Sequence, residues 1–480
     1  MKMTLKTSMK IMRISTSNFF SKFFLLFILI CYTTVEAQEA KIDTIPKYSF
    51  STVQEFWEQM EDIFDDPNFS NANWGVVLQS LVTGEYFYKR NEDKLFIPAS
   101  NLKLFTSAAG LISLKPDFRY VTEIYSNGLL DGSILKGDLI IRGSGDPTIS
   151  GRFYNEEVTK IFSNWADSLI YLGIDEIAGN IYGDDNIFDE KGLGNGWSWD
   201  YESYWYAAPS GALSFNDNCV DIFITPTKVG NKAQIRILPE TKYSVIINNV
   251  TTNDSATNIE IYRERGTNIV TIFGNIKEGS ETFKTYVTVS NPTQYFVVVL
   301  KDVLEKKGIK VRGFAIDGDE LSVPIDLTKN NLLFSHLSVP LRDIVKVINK
   351  NSQNFYSEQL LKTIGWQSSK NGSAAGGIKE SKKYFTRMGI NPENIVLADG
   401  SGLSRLNLVT PSQIISLLNY MYKSDYYTQF YNSLPIAGID GTLANRMRKT
   451  RAINNVRAKT GFIGSVRSLS GYVYTGDKEP

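Results

Sequence analysis

Histidine and cysteine are scarce in this sequence. Its 480 residues include one histidine, His336, and two cysteines, Cys31 and Cys219. A zinc site usually takes several histidine or cysteine ligands, so we expect no metal and no other cofactor. A serine–histidine–aspartate triad would have to use His336, and no nucleophile-elbow pattern accompanies it. We therefore interpret His336 as structural, and a covalent hydrolase would take its base from a lysine or a carboxylate.

Net charge and long apolar runs are also lacking. Lys and Arg together number 51, as do Asp and Glu, which does not suggest a nucleic-acid-binding surface. The apolar run at 23–32 is short for a membrane span, follows basic residues and precedes a small-x-small sequence at 35–37. This pattern predicts a signal peptide over 1–37 and a periplasmic protein without a stable membrane span. Cys31 would leave with the signal, so Cys219 would be the one remaining thiol, without an internal disulfide.

The chain is too long for one ordinary hydrophobic core, and it should divide into two or three domains. Helical periodicity is found at 101–114, 340–350, 355–364, 376–388 and 411–423, and two strands are predicted at 455–461 and 467–474. From 119 to 324, short β-like runs alternate with Gly, Asn and Asp turns around one predicted helix at 156–173. We expect an α/β (α+β) domain made from 51–118 and 325–480, with a large β-rich insertion at 119–324.

Three short motifs occur in order along the chain. They are Ser-Asn-Leu-Lys at 100–103, Ser-Gln-Asn at 352–354 and Lys-Thr-Gly at 459–461. This trio is the signature of penicillin-binding proteins and class A β-lactamases. Each motif alone is a weak signal, because Ser133 and Lys136 repeat the first spacing and Ser214 and Asn216 repeat the second. The structural setting of each motif must therefore decide which copy belongs to an active site.

The setting favours Ser100 as a nucleophile. It precedes a predicted helix, where free backbone N–H groups stabilise negative charge, and Lys103 lies one helical turn further on the same face. A buried ammonium shifts toward its neutral form, so Lys103 can take the proton of Ser100 without a histidine. Ser133 and Lys136 lie in a predicted hairpin, where positions i and i+3 point to opposite faces.

The other two motifs supply groups that would complete such a site. Ser352 and Asn354 lie between two predicted helices, where Ser352 can relay a proton and Asn354 can hold Lys103 or bind a substrate amide. Lys459 lies on a predicted strand whose edge can pair with an extended peptide, and its charge suits a terminal carboxylate. The backbone N–H groups of Ser100 and Phe462 are candidates for an oxyanion hole.

Five further segments strengthen one resemblance. They read GSGDPT (143–148), GDDNIF (183–188), APSGALS (208–214), DGSGLSR (399–405) and LPIAGIDGTL (434–443). With these and a separation of 252 residues between Ser100 and Ser352, the chain resembles the class C low-molecular-mass penicillin-binding proteins, which are D-alanyl-D-alanine carboxypeptidases and endopeptidases. The resemblance extends from about Phe56 to Tyr474.

The resemblance implies a fold and a mechanism. The fold would be a penicillin-binding/β-lactamase-like transpeptidase domain with its large insertion between the first and second motifs. Ser100 would attack the carbonyl between two D-alanines or a peptide cross-link of peptidoglycan, with Lys103 as general base, and water would release the acyl-enzyme. β-Lactam antibiotics would acylate Ser100 as covalent inhibitors. The residues implied to assist proton transfer or to bind the substrate are Ser352, Asn354, Lys459, Thr460, Gly461, Phe462, Asp184 and Arg405.

The sequence departs from this family at two places. Phe462 follows Lys-Thr-Gly where relatives usually have Thr or Ser. Relatives continue with a strand and a C-terminal helix, so the resemblance implies that these elements are missing from a chain that stops at Pro480. Two other functions are therefore also considered, a β-lactamase-like hydrolase, which the long insertion disfavours, and a non-catalytic cell-wall scaffold protein.

An aromatic cluster is the last signal in the sequence. Trp197, Trp199, Tyr204, Trp205 and Tyr206 lie within ten positions of one another. Such a cluster can stack on sugars of a glycan strand, but we favour packing between the insertion and the catalytic domain, because aromatic side chains dominate such interfaces.

Overall fold

The structure, a computed structural model, describes residues 52–476. Two units are distinguished, and the division between them follows Ile63. The described part of the first unit, residues 52–63, contains helix α1 (Val53–Phe64) except for its last residue, and Phe64 is the first residue of the second unit. The predicted signal peptide lies outside the described residues. Within 52–476 there is no helix with the length and apolar character needed to cross a membrane.

The helices of the second unit gather mainly toward the C-terminal half of the chain. In the described residues they are α2 (Leu102–Leu114), α3 (Lys160–Tyr171), α4 (Pro292–Lys306), α5 (Leu341–Lys350), α6 (Asn354–Ser369), α7 (Ala374–Arg387), α8 (Pro411–Tyr422) and α9 (Tyr427–Ser433). Their starts follow local chemistry. At α8, for example, Thr410 and Gln413 form a capping box that satisfies the first free N–H groups of the helix.

Most strands lie between the first two sequence motifs. The strands are β1 (Val76–Gln79), β2 (Tyr86–Arg90), β3 (Val121–Ser126), β4 (Leu129–Asp131), β5 (Ile134–Lys136), β6 (Leu139–Arg142), β7 (Glu176–Ile177), β8 (Ile181–Asp184), β9 (Cys219–Thr225), β10 (Gln234–Leu238), β11 (Val245–Asn253), β12 (Asn258–Arg263), β13 (Ile269–Lys277), β14 (Phe283–Thr288), β15 (Lys310–Val311), β16 (Ala315–Asp317), β17 (Asn331–Leu337), β18 (Arg457–Ile463) and β19 (Val466–Tyr472). The α/β fold class with a β-rich insertion is thereby confirmed.

The two largest sheets combine parallel and antiparallel pairing. A five-stranded sheet has the order β16-β8-β6-β3-β17, with parallel pairing from β16 to β6 and antiparallel pairing beyond. A four-stranded sheet has the order β15-β7-β5-β4, and two three-stranded sheets have the orders β10-β9-β14 and β11-β13-β12. The strand pairs β1-β2 and β18-β19 stand as separate antiparallel sheets. The last of these carries the Lys-Thr-Gly motif.

Two main hydrophobic cores hold these elements. One is made from residues between Ile124 and Val311 and includes the fully buried Phe162, whose ring centroid lies 4.6 Å from that of Phe215 and 4.8 Å from that of Phe296. The other joins α2 to α5, α6 and the elements that follow, and adds Ala208 and Cys219 from the insertion. The predicted division into a catalytic domain (51–118 and 325–480) and an insertion (119–324) stays a prediction, and β17, which lies beyond 324, pairs with β3.

Candidate active site

The turn before α2 presents Ser100. A short 3-10 helix, Ala99–Asn101, continues directly into α2, so Ser100 stands at the start of a helical segment as the sequence predicts. Ala99 is buried and has a φ of 47°, a conformation that non-glycine residues adopt only where their surroundings enforce it. A Cβ placed on Gly402 would lie 1.9 Å from the Ala99 carbonyl oxygen, and one on Gly461 would lie 3.1 Å from the Ser100 nitrogen. Two glycine backbones therefore clamp this turn.

Lys103 is completely buried beside Ser100. Its Nζ lies 3.0 Å from Ser100 Oγ and donates hydrogen bonds to Asn354 Oδ1 at 2.5 Å and to the Ser401 carbonyl at 2.6 Å. Burial lowers the pKa of Lys103 to about 7, although the nearby Asp399 and Glu358 carboxylates oppose this shift. A neutral Lys103 can use its two N–H groups for Asn354 and Ser401, which leaves its lone pair for the Ser100 hydroxyl.

The second motif lies between α5 and α6. Ser352 has a φ of 57°, so the chain turns sharply there before Asn354 begins α6. Asn354 accepts from Lys103 through Oδ1 and donates through Nδ2 to the Tyr206 carbonyl at 2.6 Å. With both ends of its amide fixed, Asn354 holds Lys103 in place, which is one of the two contacts that the sequence suggested.

The third motif brings a second buried ammonium group. Lys459 on β18 is fully buried, and its Nζ donates to Ser352 Oγ at 2.8 Å and to the Thr460 carbonyl at 2.7 Å. Burial, and then the charge of Lys103, lower the pKa of Lys459. At the more open end of the motif, Thr460 Oγ1 donates to Thr442 Oγ1 at 2.7 Å. The three motifs thus converge on one site from three separate parts of the chain.

The remaining predicted residues lie further out. Phe462 is 65% exposed, and the Arg467 guanidinium lies 3.6 Å above its ring. Arg405 donates to the Gly464 carbonyl at 2.8 Å, which places it at the turn of the β18-β19 hairpin. Asp184 ends β8, and its buried carboxylate accepts from the backbone and side-chain nitrogens of Asn186. No hydrogen bond among residues 52–476 joins Asp184 to a residue of the three motifs. The role of Asp184 in substrate binding stays a prediction.

Comparison with known proteins gives the family of this chain. The model of the D-Ala-D-Ala carboxypeptidase 3 (S13) family matches residues 56–479. The chain belongs to this family. It is 32% identical to a D-alanyl-D-alanine carboxypeptidase of Actinomadura sp. (strain R39) over 88% of this chain and 79% of the relative. It is 28% identical to the D-alanyl-D-alanine carboxypeptidase DacB of Haemophilus influenzae, over 84% and 82% of the two chains.

Solved structures agree with the fold of this S13-family chain. The crystal structure of penicillin binding protein 4 (dacB) from Haemophilus influenzae superimposes with a TM-score of 0.73 and 27% sequence identity. It covers 85% of this chain, and 88% of that protein is matched. The penicillin-binding fold expected from the resemblance is therefore confirmed.

The repeated motifs that the sequence offered as alternatives lie elsewhere in this S13-family chain. Ser133 is exposed in the turn before β5, and Lys136 forms an exposed ion pair with Asp131. Ser214 is buried and donates to the Gly211 carbonyl at 2.9 Å. Among residues 52–476, neither serine has a hydrogen bond to a lysine, whereas Ser100 contacts Lys103 and Ser352 contacts Lys459. The structural setting of each motif, and not its sequence alone, therefore distinguishes the site.

Sequence reasoning missed two carboxylates beneath the site. Glu358 accepts from the Gly400 and Ser401 nitrogens, and Asp399 accepts from the Gly402 and Ser404 nitrogens. Both are almost completely buried. A signal existed for Glu358, because it stands four positions after Asn354 in the predicted helix and therefore on the same face. Asp399 is the first residue of the DGSGLSR segment (399–405), which strengthened the family resemblance, but the resemblance implied no role for Asp399.

His336 and the aromatic cluster have separate positions. His336 Nε2 lies 3.9 Å from Asp146 Oδ2, and burial lowers the pKa of His336 to about 4, in keeping with a structural residue. Trp197 Nε1 donates to Asp399 Oδ2 at 2.9 Å, so one member of the cluster packs against the loop beneath the site. Trp199 is 64% exposed and faces solvent.

Proposed function

We propose that this chain is a serine-type D-Ala-D-Ala carboxypeptidase that works through an acyl-enzyme on Ser100. The observation that carries the proposal is the 3.0 Å separation between Lys103 Nζ and Ser100 Oγ, at a lysine whose other two contacts are both acceptors. Membership of the S13 family gives the reaction class. A nucleophile with an adjacent base, itself oriented by a third group, is the arrangement that acyl transfer requires.

The first step is acylation. Neutral Lys103 takes the proton of Ser100 while Oγ attacks the carbonyl carbon of the substrate. The backbone N–H groups of Ser100 and Phe462 are the proposed donors to the resulting oxyanion. The nearness of the β18 backbone supports this pairing, since Gly461 leaves no room for a side chain against the Ser100 nitrogen.

Residues of the other two motifs protonate the leaving group and bind its carboxylate. Ser352 Oγ accepts from Lys459, so its own hydroxyl proton can pass to the departing amine of D-alanine while Lys459 passes a proton to Ser352 Oγ in its place. Because Lys459 is buried and already engaged, we assign the contact with the terminal carboxylate to the hydroxyl groups of Thr460 and Thr442. The charge of the buried Lys459 attracts the same carboxylate without contacting it. Water then hydrolyses the ester: Ser352 and Lys459 take up the proton of the attacking water, and Lys103 returns its proton to Ser100 as the ester bond breaks.

The same attack would open a β-lactam ring. The Haemophilus influenzae protein has also been solved as a complex with a β-lactam, at 25% identity to this chain and a TM-score of 0.68. We infer that β-lactam antibiotics acylate Ser100 and leave slowly. The natural substrates that we propose are peptidoglycan stem peptides and cross-links, reached in the periplasm after export by the signal peptide at 1–37.

Intact-mass measurement after penicillin treatment tests the proposal. The wild-type protein should gain the mass of one penicillin, and Ser100→Ala should gain none. Ser133→Ala is the matched control, because it removes an exposed serine from the same Ser-x-x-Lys spacing, and it should label as the wild type does. Release of D-alanine from a peptide ending in D-Ala-D-Ala should follow the same order among the three proteins.

The alternatives predict different results. Rapid turnover of a chromogenic cephalosporin without a lasting adduct would indicate a β-lactamase-like hydrolase. A folded protein that takes no label and releases no D-alanine would indicate a scaffold protein. Cell fractionation tests the location, because retention of the mature protein in the cytoplasm would contradict the predicted export.

A further inference from the structure

The buried carboxylate of Glu358 lies on the same helix as Asn354, one turn further along. Glu358 is 3% exposed. Its Oε1 accepts from the Ser401 nitrogen at 2.8 Å and from the Gly400 nitrogen at 3.1 Å, and its Oε2 accepts from the Gly400 nitrogen at 3.0 Å. A carboxylate that accepts backbone N–H bonds in a dry interior makes strong, charge-assisted hydrogen bonds. Glu358 therefore fixes this backbone segment.

The segment fixed by Glu358 is the one that receives Lys103. The Ser401 N–H binds Glu358, and the Ser401 carbonyl accepts from Lys103 Nζ at 2.6 Å. The neighbouring Gly400 carbonyl accepts from Thr106 Oγ1 and from Ser357 Oγ, both at 2.7 Å. The backbone at 400–401 is thus held on its N–H side by one carboxylate and on its carbonyl side by three donors. A shift of Glu358 would move the acceptor of the proposed base.

Four buried ionisable groups lie in this region, and each interacts electrostatically with Lys103 or is Lys103 itself. They are Lys103 on α2, Glu358 on α6, Asp399 in the loop after α7, and Lys459 on β18. Asp399 is saturated, with acceptor contacts to two backbone nitrogens, to Asn407 Nδ2 and to Trp197 Nε1. Burial and the charge of Asp399 raise the pKa of Glu358, whereas Lys103 opposes this rise. Of the two carboxylates, Glu358 is the one bonded directly to the backbone residue that contacts Lys103.

We propose that Glu358 is a positioning residue for Lys103, which it orients through the Ser401 peptide group and whose protonated form its negative charge favours. This inference rests on the proposed function, in which Lys103 is the base. The two roles are separable. Orientation depends on the hydrogen bonds of Glu358, whereas the favouring of protonated Lys103 depends on its charge.

Two substitutions separate these roles. Glu358→Gln keeps the length of the side chain and one acceptor but removes the charge, and Glu358→Ala removes both. Without the charge, the pKa of Lys103 should fall by about one pH unit, the lower end of the effect of a nearby opposite charge. The acid limb of penicillin acylation should then move to lower pH by the same amount. Glu358→Ala should also lose about 100-fold in the plateau rate, and Glu358→Gln should recover at least a tenth of the wild-type plateau.

The pKa of Lys103 can be measured without any activity. In protein labelled with ¹³C at the lysine ε-carbon, the Lys103 signal is assigned as the one that Lys103→Met removes, and it is titrated in wild type and Glu358→Gln. Glu380→Gln is the matched control, because Glu380 is also buried but pairs with Lys383 on α7. It should leave both the titration and the pH profile unchanged.

The outcomes are distinct. A Lys103 titration that is the same in Glu358→Gln as in wild type would overturn the inference, whatever the activity of the variant. A parallel loss of rate at every pH in Glu358→Gln, with the Lys103 titration unmoved, would show a structural role alone. If wild type is never acylated but the Lys103 titration still moves in Glu358→Gln, the proposed function fails while the coupling between these two residues stands.

Discussion

Replacing Gly402 by alanine would test whether backbone contact holds the turn that presents Ser100. Gly402 has a φ of 82°, which an alanine adopts only with strain. Its new Cβ would stand 1.9 Å from the oxygen and 2.5 Å from the carbon of the Ala99 carbonyl. Both neighbours are backbone atoms, which cannot rotate away. Either the loop at 399–404 or the Ala99 turn must move.

The cost has two parts. The left-handed conformation costs an alanine about 1–2 kcal/mol, and overpacking a dense interior typically costs about 1–3 kcal/mol more. Gly402→Ala should therefore lower the free energy of unfolding by about 2–5 kcal/mol. Gly389 offers a matched control, because its φ is 77° and no atom lies within 4 Å of an added Cβ. Gly389→Ala should show the first part alone.

The same substitution should also slow the reaction. A displacement of about 1 Å at a reacting group can cost about 100-fold in rate. Ala99 directly precedes Ser100, so we expect penicillin acylation to slow by about this factor in Gly402→Ala and to stay near wild type in Gly389→Ala. Urea unfolding gives the stability, and the rate of labelling by a fluorescent penicillin gives the second quantity. If both variants were equally stable and labelled at the wild-type rate, the clamped turn would be refuted.

Three further predictions concern groups around the same site. Burial lowers the pKa of Lys103 to about 7, and the base must be neutral to act. The acylation rate should therefore rise about tenfold per pH unit below pH 7 and level off above it. An acylation rate independent of pH from 5 to 9 would contradict this. Lys459→Met should slow acylation by about 100-fold or more, since Ser352 loses its partner, and stopped-flow labelling at wild-type speed would argue against the proton path. Trp197→Phe should lower the free energy of unfolding by about 1.5–3 kcal/mol in urea, because the buried Asp399 carboxylate loses a donor; an unchanged midpoint would show that this bond contributes nothing.

The sequence by itself determined the features that depend on neighbouring residues. The spacing of Ser100 and Lys103 puts them on one helical face, and the structure has them 3.0 Å apart at the start of α2. The near-absence of histidine removed most other nucleophile–base pairs. The predicted helices around Ser352 and the strand that carries Lys459 were also correct, because local periodicity is set within a few residues of chain.

Only the tertiary structure decided which distant groups meet. Lys103 and Asn354 are separated by 251 positions, and their 2.5 Å contact depends on how α2 packs against α6. The contact between Glu358 and the Ser401 nitrogen likewise depends on where the loop at 399–404 packs, and Asp184 accepts hydrogen bonds from its own turn. Pattern and spacing describe one stretch of chain at a time. Burial, and with it the lowered pKa of Lys103, is set jointly by segments that the sequence does not place side by side.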